Sequence, residues 1–192
     1  MAILERDIPA ASPRKWTRAD YYGMVDAGIL QPGERVELLE GEIVELSPVG
    51  PLHRKVSLKL YDVLREMVGD AYYIMHESPV TLSDATEPQP DVAVAITQPD
   101  GYEGRHPASG EVLLAVEVAA TSLAGDRTRK ARIYAEAGIP TYWIVSLAER
   151  HVEAHTEPSP VGYANRHLYT PEDKIALPFA DNPFVLVRRF LS

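Results

Sequence analysis

Residues 113–122, LLAVEVAATS, constrain this chain more than any other stretch. Leu113, Leu114, Val116 and Val118 are sheet-interior residue types, and Ala115 adds no polarity, so the segment reads as a buried β-strand. In its middle stands Glu117. An unpaired buried carboxylate costs several kcal/mol, comparable with the net stability of a small domain. A fold that accepts this strand must therefore bring a compensating group to it.

A second strand segment, QPDVAVAI, carries Asp91 directly after Pro90. Side chains alternate across a sheet, so Asp91, Ala93 and Ala95 share one face, as do Leu113, Ala115, Glu117 and Ala119. The small alanines beside each acid imply close packing or open space there. If the two strands are neighbours, both carboxylates point into one cavity. They would repel unless one holds a proton or both share a cation. Oxygen donors and the absence of cysteine favour a hard ion, Mg²⁺ or Mn²⁺. The competing structural reading is that Asp91 caps a turn and Glu117 pairs with an arginine of the next helix.

Around these strands the pattern is mixed. Residues 1–12 have little periodicity and read as a loose arm. TRADYYGMVDAGI has a capping box, Thr17 with Asp20, and an apolar stripe of Tyr21, Met24, Val25 and Ile29. RVELLEGEIVEL reads as a hairpin turning at Glu40-Gly41. LHRKVSLKLYDVLREMVGD is an amphipathic helix with Val56, Leu60, Val63, Leu64 and Met67 on one stripe. AYYIMH, PVTL, PDVAVAI and EVLLAVEVA read as strands, with TQPDGYEGRHPASG a long loop at the rim of a site. DRTRKARIYAEAGI is a second helix, capped by Asp126 and ended by Gly138. TYWIVSL and RHVEAHT are strands, and the tail from 161 alternates short strand-like pieces with prolines. The order predicts one α/β domain over residues 1–192, a central mixed sheet flanked by helices with an N-terminal helix and hairpin.

In the second helix Lys130, Tyr134 and Ala137 fall on one stripe, with Lys130 near the edge of the buried face. A lysine there can be a snorkelling side chain. It can also stand close to the C-terminal end of the Glu117 strand, where an ammonium would offset charge on a phosphate. Of the hairpin acids Glu37, Glu40, Glu42 and Glu45, only Glu37 is expected to reach a site, and the rest read as solvated edge charges. A lone histidine such as His53, opening a helix, is more often a cap or surface residue than a catalyst.

The chain has 192 residues, no cysteine, a net charge of −9 and a pI of about 5.1. Disulfides and thiolate metal sites are excluded. The acidity argues against coating nucleic acid with an overall basic surface but leaves room for a local basic patch. There is no signal-peptide core and no membrane-length apolar run, so the expected address is the cytoplasm.

Read together, Pro90-Asp91, Glu117-Val118-Ala119 and Lys130 resemble the PD-(D/E)XK nuclease superfamily. More narrowly, VELLEGEIVELSP, His53, QPDVAVA, LLAVEVAATS and DRTRKARIYAEAGIPTYWIV resemble a bacterial family of restriction-endonuclease-like proteins expanded in cyanobacteria, over roughly residues 15–155. The resemblance implies a restriction-endonuclease-like core in which Asp91, Glu117 and the carbonyl of Val118 hold Mg²⁺ or Mn²⁺. It implies hydrolysis of nucleic-acid phosphodiesters, DNA above all, with Lys130 and Glu37 completing the catalytic set. The superfamily pattern asks for lysine two residues after the second acid; this chain has Ala119, and Lys130 of the following helix matches the family's alternative. A homodimer would put two such sites on a duplex. Two other readings remain: a catalytically silent relative that binds nucleic acid or a protein, and a hydrolase of small phosphodiesters.

Overall fold

The computed structural model describes residues 12–31, 33–181 and 184–192. The arm expected over residues 1–12 lies, except for Ser12, outside them. In chain order the elements are α1 (Arg18–Asp26), the hairpin strands β1 (Val36–Leu39) and β2 (Glu42–Glu45), α2 (Pro51–Val68), β3 (Tyr72–His76), β4 (Val92–Ile96) and β5 (Val112–Ala119). A helical segment then runs from α3 (Leu123–Gly125) through a π-helical turn (Asp126–Lys130) into α4 (Ala131–Glu136). The strands β6 (Thr141–Ser146), β7 (His151–Ser159) and β8 (Gly162–Tyr169) come next, with a small pair, β9 (Lys174–Ala176) and β10 (Phe184–Leu186).

Strands β3 to β8 form one six-stranded sheet in chain order. Only β5 and β6 run parallel, which is why the segment joining them is the one that crosses over as a helix. Alternation divides the sheet between two cores. Val92, Val94, Leu114, Val116, Val118, Trp143 and Val145 meet Val56, Leu60, Val63 and Leu64 of α2 on one face. Ala93, Ala115, Ala119, Tyr142 and Ile144 meet Ala131 and Tyr134 of α4 on the other. The alanines shorten that second face and let the helix sit close to the strand ends. This is the mixed sheet flanked by helices that the element order predicts.

The hairpin turns at Glu40 (φ +54°) and Gly41 (φ +77°), the paired positive values of a type I′ turn. A Cβ on Gly41 would lie 2.7 Å from the Cβ of Lys15, so the chain entering α1 passes directly over the turn. The capping box of α1 forms, with Thr17 and Asp20 exchanging hydrogen bonds. Its apolar stripe is not buried, however: Val25 and Ile29 are 42% and 67% exposed. The helix is tied down by polar contacts instead, Arg18 and Tyr22 both donating to the buried Glu87.

Three further expectations are corrected. PVTL is not a strand; with Pro79, Pro88 and Pro90 depriving the stretch of donors, residues 79–91 touch their neighbours through isolated bridges such as Thr81 with Ala108. The loop at 97–110 does not rim the site, because it joins the far ends of β4 and β5, opposite the end where Asp91 and Glu117 lie. The tail contains a full strand, β8, paired with β7 along most of its length. Among the described residues no helix is long and apolar enough to cross a membrane.

Glu153, near the start of β7, is fully buried. Its carboxylate accepts from Arg127 Nε at 2.8 Å and Arg166 Nε at 2.8 Å. Burial raises its pKa, but these two guanidiniums and His151 outweigh that and hold it at about 2. A carboxyl depressed below its unfolded value stabilises the fold above pH about 4.5, and that contribution disappears as pH falls through about 2. The interaction contributes on the order of 2–3 kcal/mol once the solvent exposure of the two arginines is allowed for. Urea unfolding at pH values from about 7 down to about 2.5 is expected to show Glu153→Gln destabilised at neutral pH, with a flatter acid limb than the wild type.

Candidate active site

The site starts from a proline. The register that pairs Val92 with Val116 sets Pro90 opposite Val118. Ala119 O accepts Leu147 N–H on the β6 side, so the backbone groups of Val118 point the other way, towards Pro90. Proline has no N–H to donate. The Val118 N–H is taken by Asp91 Oδ2 at 2.7 Å, and the Val118 carbonyl faces a residue that cannot supply its usual ladder bond. Asp91 Oδ2 is also 3.1 Å from His53 Nε2, near the start of α2. Asp91 Oδ1 has no partner among the described residues and is not sealed from solvent.

Glu117 lies on the α4 side of β5. Its Oε1 accepts from Lys130 Nζ at 2.9 Å and from the Tyr134 hydroxyl at 2.9 Å, while Oε2 has no partner among the described residues and is not sealed. Lys130 Nζ lies 3.2 Å from Glu37 Oε1 as well, and Glu37 Oε2 accepts the Gln89 N–H at 3.0 Å. The hairpin is drawn onto this helix by Arg129, which reaches Glu40, Glu42 and the Leu39 carbonyl, and by Arg132, which reaches Glu40. These residues surround a cleft of about 240 Å³ whose lining includes Glu37, His53, Asp91, Glu117, Asp126 and Lys130.

Asp126 is not the helix cap expected from the sequence. The helix begins earlier, after Ser122, whose hydroxyl donates to Asp126 Oδ2 at 2.6 Å. Asp126 instead opens the π-helical turn: its carbonyl accepts the Ala131 N–H five residues on and the Tyr142 hydroxyl at 3.2 Å. One extra residue in a turn rotates the remainder of the helix by about 100°. Asp126 and Lys130 are both buried in that turn.

The structure therefore brings together Asp91, Glu117, Lys130, Glu37 and the backbone of Val118. It adds His53, which the sequence favours as a cap or surface residue, and Asp126. Tyr134, on the same stripe as Lys130, is a direct donor to Glu117. A lysine at position 119 would find no space, because Ala119 is 1% exposed in the core beneath α4.

Buried charge in the cleft is unbalanced: four buried acids, Glu37, Asp91, Glu117 and Asp126, face one buried ammonium, while the other charged lining residues, Arg35, Glu45 and Arg129, are not buried. Burial raises the Glu117 pKa well above its ordinary value; Lys130 opposes this, and Asp91, Asp126 and Glu37 add to it. Asp126 is raised too, first by burial. Burial works to lower Lys130, but Glu117 and Glu37 overcome it, so the side chain stays an ammonium.

Among the described residues, the group of Glu and His whose ligand atoms all lie within 4.8 Å is Glu149, His151 and Glu153, outside the cleft. Arg127 already bonds both glutamates and Arg166 bonds Glu153, so guanidiniums balance that cluster. In the cleft the ammonium of Lys130 stands between Glu37 and Glu117. Several cleft oxygens have no partner among the described residues, Asp126 Oδ1 among them; three of these, Asp91 Oδ1, Glu117 Oε2 and the Val118 carbonyl, lie at the ends of adjoining strands and are hard donors that suit Mg²⁺ or Mn²⁺.

A mixed sheet with acids on adjoining strands over one cleft, answered by a buried lysine, defines a restriction-endonuclease-like protein. The family model described as "Uma2: Putative restriction endonuclease" matches residues 19–181, and the chain belongs to that family. A crystal structure named as "a putative nuclease belonging to DUF820" from Anabaena variabilis superposes with a TM-score of 0.73 at 15% identity, covering 93% of this chain and 98% of that one, and shows the shared fold. The comparison with curated proteins finds no match.

Lys130→Met would leave Glu37 and Glu117 buried without their cation, a loss of about 3–5 kcal/mol for one broken buried pair. Urea unfolding in metal-free buffer is expected to show that loss, and Lys130→Met combined with Glu117→Gln is expected to recover part of it.

Proposed function

We propose that this protein is a Mg²⁺- or Mn²⁺-dependent nuclease that hydrolyses phosphodiester bonds of DNA. The observation that carries the proposal is the set of three oxygens without partners, Asp91 Oδ1, Glu117 Oε2 and the Val118 carbonyl, at the ends of adjoining strands beside a buried lysine. Those three would hold the cation, which when bound supplies charge stabilisation at the phosphate and a more acidic water.

The remaining roles belong to the chain itself. Val118 N–H and His53 fix one Asp91 oxygen and so aim the other at the cleft. Tyr134 and Lys130 do the same for Glu117. Lys130, with three donors, orients the attacking water or a phosphate oxygen and offsets charge developing there. Glu37 positions Lys130 from the hairpin side, itself held by the Gln89 N–H. Two copies acting together would cut both strands of a duplex.

Supercoiled plasmid and linear duplex DNA are the test substrates, each with Mg²⁺, with Mn²⁺ and with EDTA. Metal-dependent cleavage is expected from the wild type, falling by about 10²-fold or more in Asp91→Asn, Glu117→Gln and Lys130→Met. Calorimetric titration with Mn²⁺ should give binding in the wild type and loss of binding in the first two variants. Cleavage that survives Asp91→Asn, or turnover of a small diester with no cleavage of DNA, would overturn the assignment.

A further inference from the structure

Ten of the described lysines and arginines form ion pairs with acids, and eight do not: Arg35, Arg54, Lys55, Lys59, Arg65, Arg150, Lys174 and Arg188. Three of the eight, Arg54, Lys55 and Lys59, lie exposed on the first half of α2. No acid occurs between Glu45 and Asp62, in a chain with 28 acidic residues. Arg35, also without an acidic partner among the described residues, lines the cleft a short way off.

This arrangement works against the helix that carries it. The N-terminal end of a helix bears partial positive charge and favours acids, yet the first turn of α2 has none and the cations follow at once. Lys55 and Lys59 stand one turn apart, and a like-charged pair at that spacing is mutually repulsive. Leu52 and Leu58, 56% and 44% exposed, share the outward face. Among the described residues no ion pair to Arg54, Lys55 or Lys59 offsets these costs. A polyanion lying along the face would relieve both. The helix also starts at the lip of the cleft, whose lining includes Gly50 and His53.

We propose that the outward face of α2 built from Arg54, Lys55 and Lys59 is the surface on which the phosphate backbone of duplex DNA lies as it reaches the cleft. The proposal rests on the nuclease reading and explains how a chain of net charge −9 can hold a polyanion: four of the eight unpaired cations, Arg35, Arg54, Lys55 and Lys59, lie at or beside the site. Continuity with a cleft suited to a phosphodiester favours DNA over a membrane as the occupant.

The test is equilibrium binding of a fluorescently labelled duplex to the full chain, in EDTA and in Mg²⁺, over a series of salt concentrations. Arg54→Gln/Lys55→Gln/Lys59→Gln is compared with Arg150→Gln/Lys174→Gln/Arg188→Gln, which removes the same charge elsewhere. Circular dichroism checks the fold of both. The α2 variant is expected to bind about 10-fold or more weakly near 0.1 M salt, with a log–log salt slope reduced by roughly 3, while the control variant binds like the wild type. Equal losses in the two variants, an α2 variant that binds like the wild type, or a wild type that binds no duplex in either buffer would overturn it. So would binding of phosphatidylserine vesicles, but not of duplex, that depends on the same cations and on Leu52 and Leu58. Because binding is read apart from cleavage, α2-dependent binding without metal-dependent cutting would leave this surface standing and refute only the nuclease assignment.

Discussion

The ammonium of Lys130 is the contact on which the rest of this molecule is arranged. Without it the fold would hold an uncompensated carboxylate at Glu117 in the sheet and another at Glu37 in the hairpin, and buried charges of that kind can cost a small domain most of its stability. Three separated pieces of chain meet at this nitrogen: the hairpin through Glu37, the central strand through Glu117, and the crossover helix that carries the lysine. Arg129 and Arg132 then fasten the hairpin to the same helix from outside. The cleft is thus enclosed by charged contacts, while the two apolar cores on either side of the sheet supply the rigid support.

Much of this was legible in the sequence because it rests on strong local signals. The stripe Val56, Leu60, Val63 and Leu64 and the alternation around Asp91 and Glu117 give the helix and the strands, and they put both acids in one cavity once the strands are neighbours. The capping box at Thr17 was legible too, yet the helix it opens buries nothing fully; its anchor is Glu87, an acid in a loop that no periodicity marks. The limit shows best at Glu153. It is a strand acid between Val152 and Ala154, a signature close to that of Glu117, and only the fold reveals that Arg127 of the π-helical turn and Arg166 of the paired strand β8 neutralise it. A buried acid can be recognised in a sequence, but whether its partner is a structural guanidinium or a group at an open cleft depends on long-range contacts.

His53 and Asp126 were obscured for related reasons. His53 sits where a helix begins, a position that usually needs only a cap, and its approach to Asp91 depends on how α2 crosses the sheet. Asp126 precedes the periodic part of its helix and so resembles a cap. The helix extends one turn further back than its apolar pattern, beginning at residues whose side chains are not buried.

The π-helical turn has a consequence for how this chain can vary. It works as a phase correction: the residues after it keep their apolar stripe against the sheet, while Asp126 and Lys130 within it turn into the cleft. Deleting one residue from this stretch would restore ordinary helical winding and shorten the helix only slightly. It would also put the stripe and the lysine out of step, so that packing and chemistry could no longer both be satisfied. The length of the helix between Ser122 and Tyr134 is thus fixed by angle rather than by span.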